Sequence, residues 1–150
     1  NSFGDKDTFF KSCVDQYNKM VDKQIAASLK NDKLNAWDAI QAYFDESVTA
    51  VSNKHRSMGC LLVNSICESI NYDKEMRKVV RGSLASIRKP LLARLKEAHK
   101  NKKMKKGISA EFAADVLMNT LHGIRVNSRD GKNSKQLNDM LKFAVASLKK

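Results

Sequence analysis

Apolar residues recur at three- and four-residue steps along nearly the whole chain, the period of a helix with one face turned inward. The first such run puts Phe9, Phe10, Cys13, Val14, Tyr17, Met20, Val21 and Ile25 on one side of a helix from about Lys6 to Leu29, with Asp5 as its N-cap. A polar break at Lys30-Asn31-Asp32-Lys33 precedes a second helix, Leu34 to Val51, striped by Trp37, Ile40, Phe44, Val48 and Val51. Met58 to Ile70 is apolar or small at nearly every position, so neither of its faces suits water, yet it is too short to span a bilayer. It therefore predicts a central, buried third helix in which Asn64 either finds a backbone partner or faces a cavity with a polar guest.

The fourth helix, capped at Asp73, is the longest: Met76, Val80, Ser83, Ile87, Leu91, Leu95 and Ala98 share one face, and Pro90 predicts a kink inside it. After a lysine-rich loop, Asn101 to Gly107, Ser109 caps a fifth helix carrying Phe112, Val116, Leu117, Thr120, Leu121 and Ile124. A turn at Arg129-Asp130-Gly131-Lys132 leads to a sixth helix from near Ser134 with Leu137, Leu141, Ala144, Val145 and Leu148 inward. No segment alternates like a strand and no repeat is visible, so the expectation is an all-α fold of six helices in one domain, residues 1–150.

Composition narrows the class. With 42% hydrophobic and 29% charged residues the chain is globular, and it has no long uncharged run for a membrane. Three cysteines without a CxxC pair argue against a disulfide framework and for a reducing cytoplasm. The first residue is Asn and no leader pattern follows, which suggests a piece of something longer. The net charge of +12 is uneven: Asp73 to Lys106 holds thirteen Lys or Arg against three acids, while the first fifty residues are nearly balanced. That excess suits either a solvated helix face or a surface attracted to polyanions.

Candidate chemistry is sparse. His55, His99 and His122 are scattered without metal spacing, and no phosphate-binding loop, GxSxG or HExxH occurs, so neither a metal, a cofactor nor an enzyme is expected. Cys60 stands apart from the other thiols because it falls in the first turn of the central helix near His55 and Arg56, a setting that lowers a thiol pKa. Phe9, Phe44 and Phe112 read as core, while Tyr17, Asn64, Asn119 and Thr120 are polar residues on faces that otherwise read as buried.

Gly59-Cys60-Leu61-Leu62-Val63-Asn64, then Asp73-Lys74-Glu75-Met76-Arg77, then Leu121-His122-Gly123-Ile124-Arg125-Val126, resemble the C-terminal effector domain of TetR-family transcriptional regulators. The opening Asn1 to Phe10 resembles the segment that follows the DNA-recognition helix in that family. The resemblance implies a cytoplasmic regulator, most often a repressor, whose DNA-binding domain belongs upstream and is absent from these residues. It also implies a homodimer through the last two helices, here with Leu121, Gly123, Met140 and Phe143 towards the partner, and a small-molecule pocket inside the helices.

For that pocket the sequence offers Cys13, Tyr17, Phe44, Asn64, Cys67, Ser83, Ile87, Val116 and Thr120, a mixture a tightly packed core rarely chooses. The expected guest is a small hydrophobic or amphipathic molecule with one polar end, in a cavity of about 300–1,000 Å³. Two alternatives remain from the sequence: a basic helical module that binds nucleic acid through the lysine-rich stretch, and a thiol sensor at Cys60.

Overall fold

The structure, a computed structural model, describes residues 2–52, 65 and 74–150. Five α-helices occur among them: α1 (Ser2–Ala27), α2 (Ala36–Ser52), α3 (Lys74–Lys100), α4 (Ala110–Arg129) and α5 (Ser134–Leu148). The expected central helix, with Cys60, Asn64 and Cys67, lies outside the described residues apart from Ser65, which is helical and buried.

The helix starts follow from side chains that satisfy the first free N–H groups. Asn35 caps α2, its Oδ1 accepting from the N–H groups of Trp37 and Asp38, both at 3.1 Å. Ser109 caps α4 through the N–H of Phe112, and Asn133 forms a reciprocal capping box with Gln136 at the start of α5. At α1 the expectation needs correction: the helix begins at Ser2 and ends at Ala27, so Asp5 lies inside its first turns rather than at a cap.

The core lies where the stripes meet. On α3 the buried residues are Met76, Val80, Ser83, Ile87, Leu91, Leu95 and Ala98, the face the sequence predicts, with Arg94 added. That helix runs without interruption through Pro90, which removes one helical hydrogen bond but leaves the inward face in register. α4 packs between α3 and α5, α2 touches every other described helix, and α1 lies on α2 and α3. Phe44 is fully buried, but Phe9 is 71% and Phe112 60% exposed, so neither belongs to the core of the protomer. The reason is register: Val14, Tyr17 and Val21 on α1, and Ala113, Leu117 and Leu121 on α4, already fill the inward faces.

Arg94 fixes the direction of α1. From the buried side of α3 its Nε donates to the Leu29 carbonyl at 2.7 Å, Nη2 to that of Asn31 at 2.7 Å, and Nη1 to that of Leu34 and to Glu97. These carbonyls belong to the end of α1 and the following turn, where helical partners run out; that of Asn31 also accepts from the Leu34 N–H at 3.1 Å. Asp22 and Ile25 of α1 border a cleft of about 420 Å³ with Ser86, Lys89 and Pro90 of α3, while Leu29 lies by Arg94. The two helices therefore run in the same direction, with the start of α1 and the start of α3 at one end of the domain.

Candidate functional site

Three helices bring polar side chains to one place in the apolar interior. Tyr17 from α1, Tyr43 from α2 and Arg125 from α4 are all buried, at 1%, 0% and 4% exposure. The Arg125 guanidinium carbon is 5.9 Å from the centroid of the Tyr17 ring, within the range of a cation–π contact. His122 lies one turn before Arg125 on the same helix and is half-buried.

The local sequence explains the convergence. On α4, Met118, Leu121 and Arg125 follow helical spacing, so the stripe that is apolar through Leu121 becomes cationic one turn later. On α2, Tyr43 sits between Ala39 and Ser47, one residue to the side of the Ile40-Phe44-Val48 stripe.

Burial dominates the electrostatics. It pushes the Tyr43 phenol from 10.0 up to about 12; Arg125 and Ser47 pull the other way and Tyr17 adds to the rise. By hydrogen-bond geometry the Tyr43 hydroxyl has no partner among the described residues, and the Ser47 hydroxyl donates to the Tyr43 carbonyl at 2.9 Å. The His122 imidazole is held below its usual range, first by burial and then by the charge of Arg125, so it is neutral at pH 7. Among the described residues the Tyr43 hydroxyl and His122 Nε2 are buried without a hydrogen-bond partner. Such a polar atom costs about 1–3 kcal/mol, and a guest with a polar group recovers it.

The residues singled out from the sequence fall in several places. Tyr17 belongs to the cluster; Phe44 and Ile87 are fully buried in the core; Ser83 is buried with its hydroxyl bonded to the Val79 carbonyl. Cys13 is half-buried with a free thiol, and Val116 and Thr120 are half-buried, Thr120 bonding back to the Val116 carbonyl. Asn119 is exposed rather than buried. Asn64, Cys67 and Cys60 lie outside the described residues. Three surface clefts bounded by described residues, of about 420, 440 and 850 Å³, include none of these side chains. The sequence reading passed over Tyr43 and Arg125 as site residues. The signal is that Arg125 continues the buried Met118-Leu121 stripe and Tyr43 lies one residue to the side of the Ile40-Phe44-Val48 stripe.

A second feature is the outer face of α4 and α5. Phe112, Val116, Gly123 and Val126 follow one another at steps that keep them on one side of α4, and Met140 and Phe143 do so on α5. Phe143 is 77% exposed, Phe112 60%, Val126 52% and Met140 40%. A Cβ built on Gly123 meets nothing within 4 Å, so no contact inside the protomer requires glycine there. Leu121 points the other way and is fully buried in the protomer.

Among the described residues no three His, Cys, Asp or Glu side chains gather as a metal site, and no helix is long and apolar enough to cross a membrane. Residues 36–143 match the family model of the tetracyclin repressor-like, C-terminal domain. The fold is similar to the crystal structure of a TetR transcriptional regulator from Chloroflexus aurantiacus J-10-FL, with a TM-score of 0.75 and 16% sequence identity. That match covers 91% of this chain and 70% of the other. No curated protein matches the sequence.

Proposed function

This chain belongs to the family of tetracyclin repressor-like C-terminal domains, and from that premise we propose that it senses a small molecule and dimerises on behalf of a cytoplasmic transcriptional repressor. The observation that carries the sensing role is the pair of buried, unpartnered polar atoms, Tyr43 Oη and His122 Nε2, gathered about Arg125. The ligand is hydrophobic or amphipathic, with a polar end that Tyr43 and His122 receive and an apolar body towards Phe44, Ile87 and the other residues read from the sequence. A cofactor or a catalytic step has no part in this reading.

The mechanism is a shift between two dispositions of α1. Tyr17 lies under Arg125, so a guest at the cluster touches the helix that leads back to a DNA reader expected before Ser2. Ligand acts only through its different affinity for the two dispositions, a coupling of about 1–3 kcal/mol in typical cases. The second protomer docks by twofold symmetry on the outer face of α4 and α5, where Gly123 admits a close helix approach and Phe143 and Met140 are covered.

Thermal melting with amphiphiles of one chain length and different heads tests the sensing role. Decanoate, decanol and decyltrimethylammonium are the probes. At least one should raise the melting temperature in a concentration-dependent way, and Tyr43→Phe should remove most of that shift. An equal shift in Tyr43→Phe would move the binding site away from the cluster.

A further inference from the structure

Lysines crowd one end of the domain, and the backbone holds them there. Lys100 ends α3, Lys102, Lys103, Lys105 and Lys106 follow it, and Lys149 and Lys150 follow the end of α5. The two segments are tied together: the Lys105 N–H donates to the Leu148 carbonyl at 3.0 Å, the Lys150 N–H to that of Lys103 at 3.1 Å, and Met104 pairs with Lys149 in an antiparallel bridge. Trp37 Nε1 donates to the same Lys103 carbonyl at 3.2 Å, and Lys149 Nζ lies 5.6 Å from the Trp37 ring centroid. Buried Met104 anchors the loop from below. Lys102 adopts a φ of 55°, a left-handed conformation unfavourable for a side-chain-bearing residue.

The lysine-rich loop is thus an ordered shelf of like charges. No acid offsets it locally. The chain has none between Glu97 and Glu111 or after Asp139, and those three are paired with Arg94, Lys96 and Lys135. Repulsion among ammonium groups works against such an arrangement, and a polyanion relieves it by releasing its counterions.

We propose that this shelf, Lys100 to Lys106 with Lys149 and Lys150, is a sequence-blind contact for the phosphate backbone of double-stranded DNA. Three features select that partner. Lysine is a point charge on a flexible stem, suited to phosphate oxygens, and it lacks the rigid planar fork with which arginine reads a base edge. Trp37, the large ring at the shelf, is buried under Lys149, and the small imidazole of His99 is the exposed ring beside it, which is less than the row of open aromatic rings that unpaired bases stack on. Met104 is buried too, which leaves no exposed large apolar side chain on the shelf to insert into a lipid surface.

Position gives the contact its meaning. The shelf follows the end of α3, and α1 and α3 run in the same direction, so it lies at the opposite end of the domain from Ser2. The 26 residues of α1 at a rise of about 1.5 Å each separate the two ends by roughly 39 Å. A reader attached before α1 therefore faces one DNA segment and the shelf another. This last step rests on the function proposed above; the phosphate contact does not.

The test is fluorescence anisotropy of a labelled random-sequence duplex of 24 base pairs with this chain, between 50 and 200 mM NaCl. Binding should weaken steeply with salt, and the variant K100Q/K103Q/K105Q/K106Q should lower affinity at least tenfold at 100 mM. It should also flatten the log–log salt slope by about 3–4, at about 0.9 per phosphate contact. All four side chains are exposed and the backbone bonds are kept, and replacement of the same lysines by arginine should preserve binding. K74Q/R77Q/K78Q/R81Q removes equal charge at the start of α3 and should change affinity less than twofold. Equal losses in the two glutamine variants would reduce the effect to net charge and overturn the proposal. So would absence of binding, a preference for one duplex sequence, or binding to vesicles containing phosphatidylserine but not to duplex.

Discussion

Replacing Tyr43 by Phe should make the ligand-free domain more stable, the reverse of what removing a polar contact usually does. The hydroxyl is fully buried and makes no hydrogen bond among the described residues, so its removal relieves a desolvation cost of about 1–3 kcal/mol while the ring keeps its packing. For a domain of this size each kcal/mol is worth about 2–4 °C in melting temperature. A second effect appears at high pH. The folded-state pKa is raised, so the proton-linked stability is fully present below 10.0 and is lost as pH rises through about 12. At about 1.4 kcal/mol per pH unit, that removes roughly 2–3 kcal/mol from the wild type and nothing from the variant. Urea unfolding at pH 7 and at two points between pH 10 and 12, with the m-value checked for constancy, measures both effects. A variant that is less stable at pH 7, or that loses as much stability at alkaline pH as the wild type, would show that the hydroxyl is satisfied in the native state and would remove the argument for a polar guest beside it.

Arg94→Met should destabilise the domain by about 3–5 kcal/mol, because it strips charge-assisted bonds from three carbonyls after α1; a urea midpoint within experimental error of wild type would contradict that role. Burial and Arg125 hold the His122 pKa down, so its share of stability is present above about 6.5 and is lost as pH falls. His122→Gln should therefore narrow the stability difference between pH 7.5 and 5.5, and an unchanged difference would assign the acid sensitivity elsewhere. Phe143→Glu should convert dimers to monomers in sedimentation equilibrium at micromolar concentration without lowering the stability of the protomer, since this side chain is 77% exposed; a monomeric wild type would refute the twofold face.

The inward faces were legible in the sequence because each is a long helical stripe. The α3 face from Met76 to Ala98 is buried as the period predicts, and Ser109 caps α4 where the pattern places it. Less legible was which end of a residue's chemistry wins. Arg94 falls in the basic stretch from Asp73 to Lys106 and Arg125 in a motif that carries only a family resemblance, yet both are buried, because backbone carbonyls or aromatic rings take the charge that water would otherwise solvate. Periodicity names the helical face of a residue but not the partner that crosses to it from another helix. Phe112 shows the same limit from the apolar side, since a stripe cannot tell the core of one protomer from a face left for a second. The order of the lysine-rich loop comes from Trp37 and the end of α5, more than forty residues away on either side, and no pattern inside the loop shows it.

The most direct measurement is a crystal structure of the chain at a resolution that shows ordered water. Ligand sensing predicts a cavity beside Tyr43 and His122, bordered by Tyr17 and Arg125 and filled by a small molecule or by water hydrogen-bonded to the Tyr43 hydroxyl and His122 Nε2, in a dimer built on α4 and α5. Close-packed apolar side chains against both atoms, or protein partners that satisfy them with no space left, would contradict it.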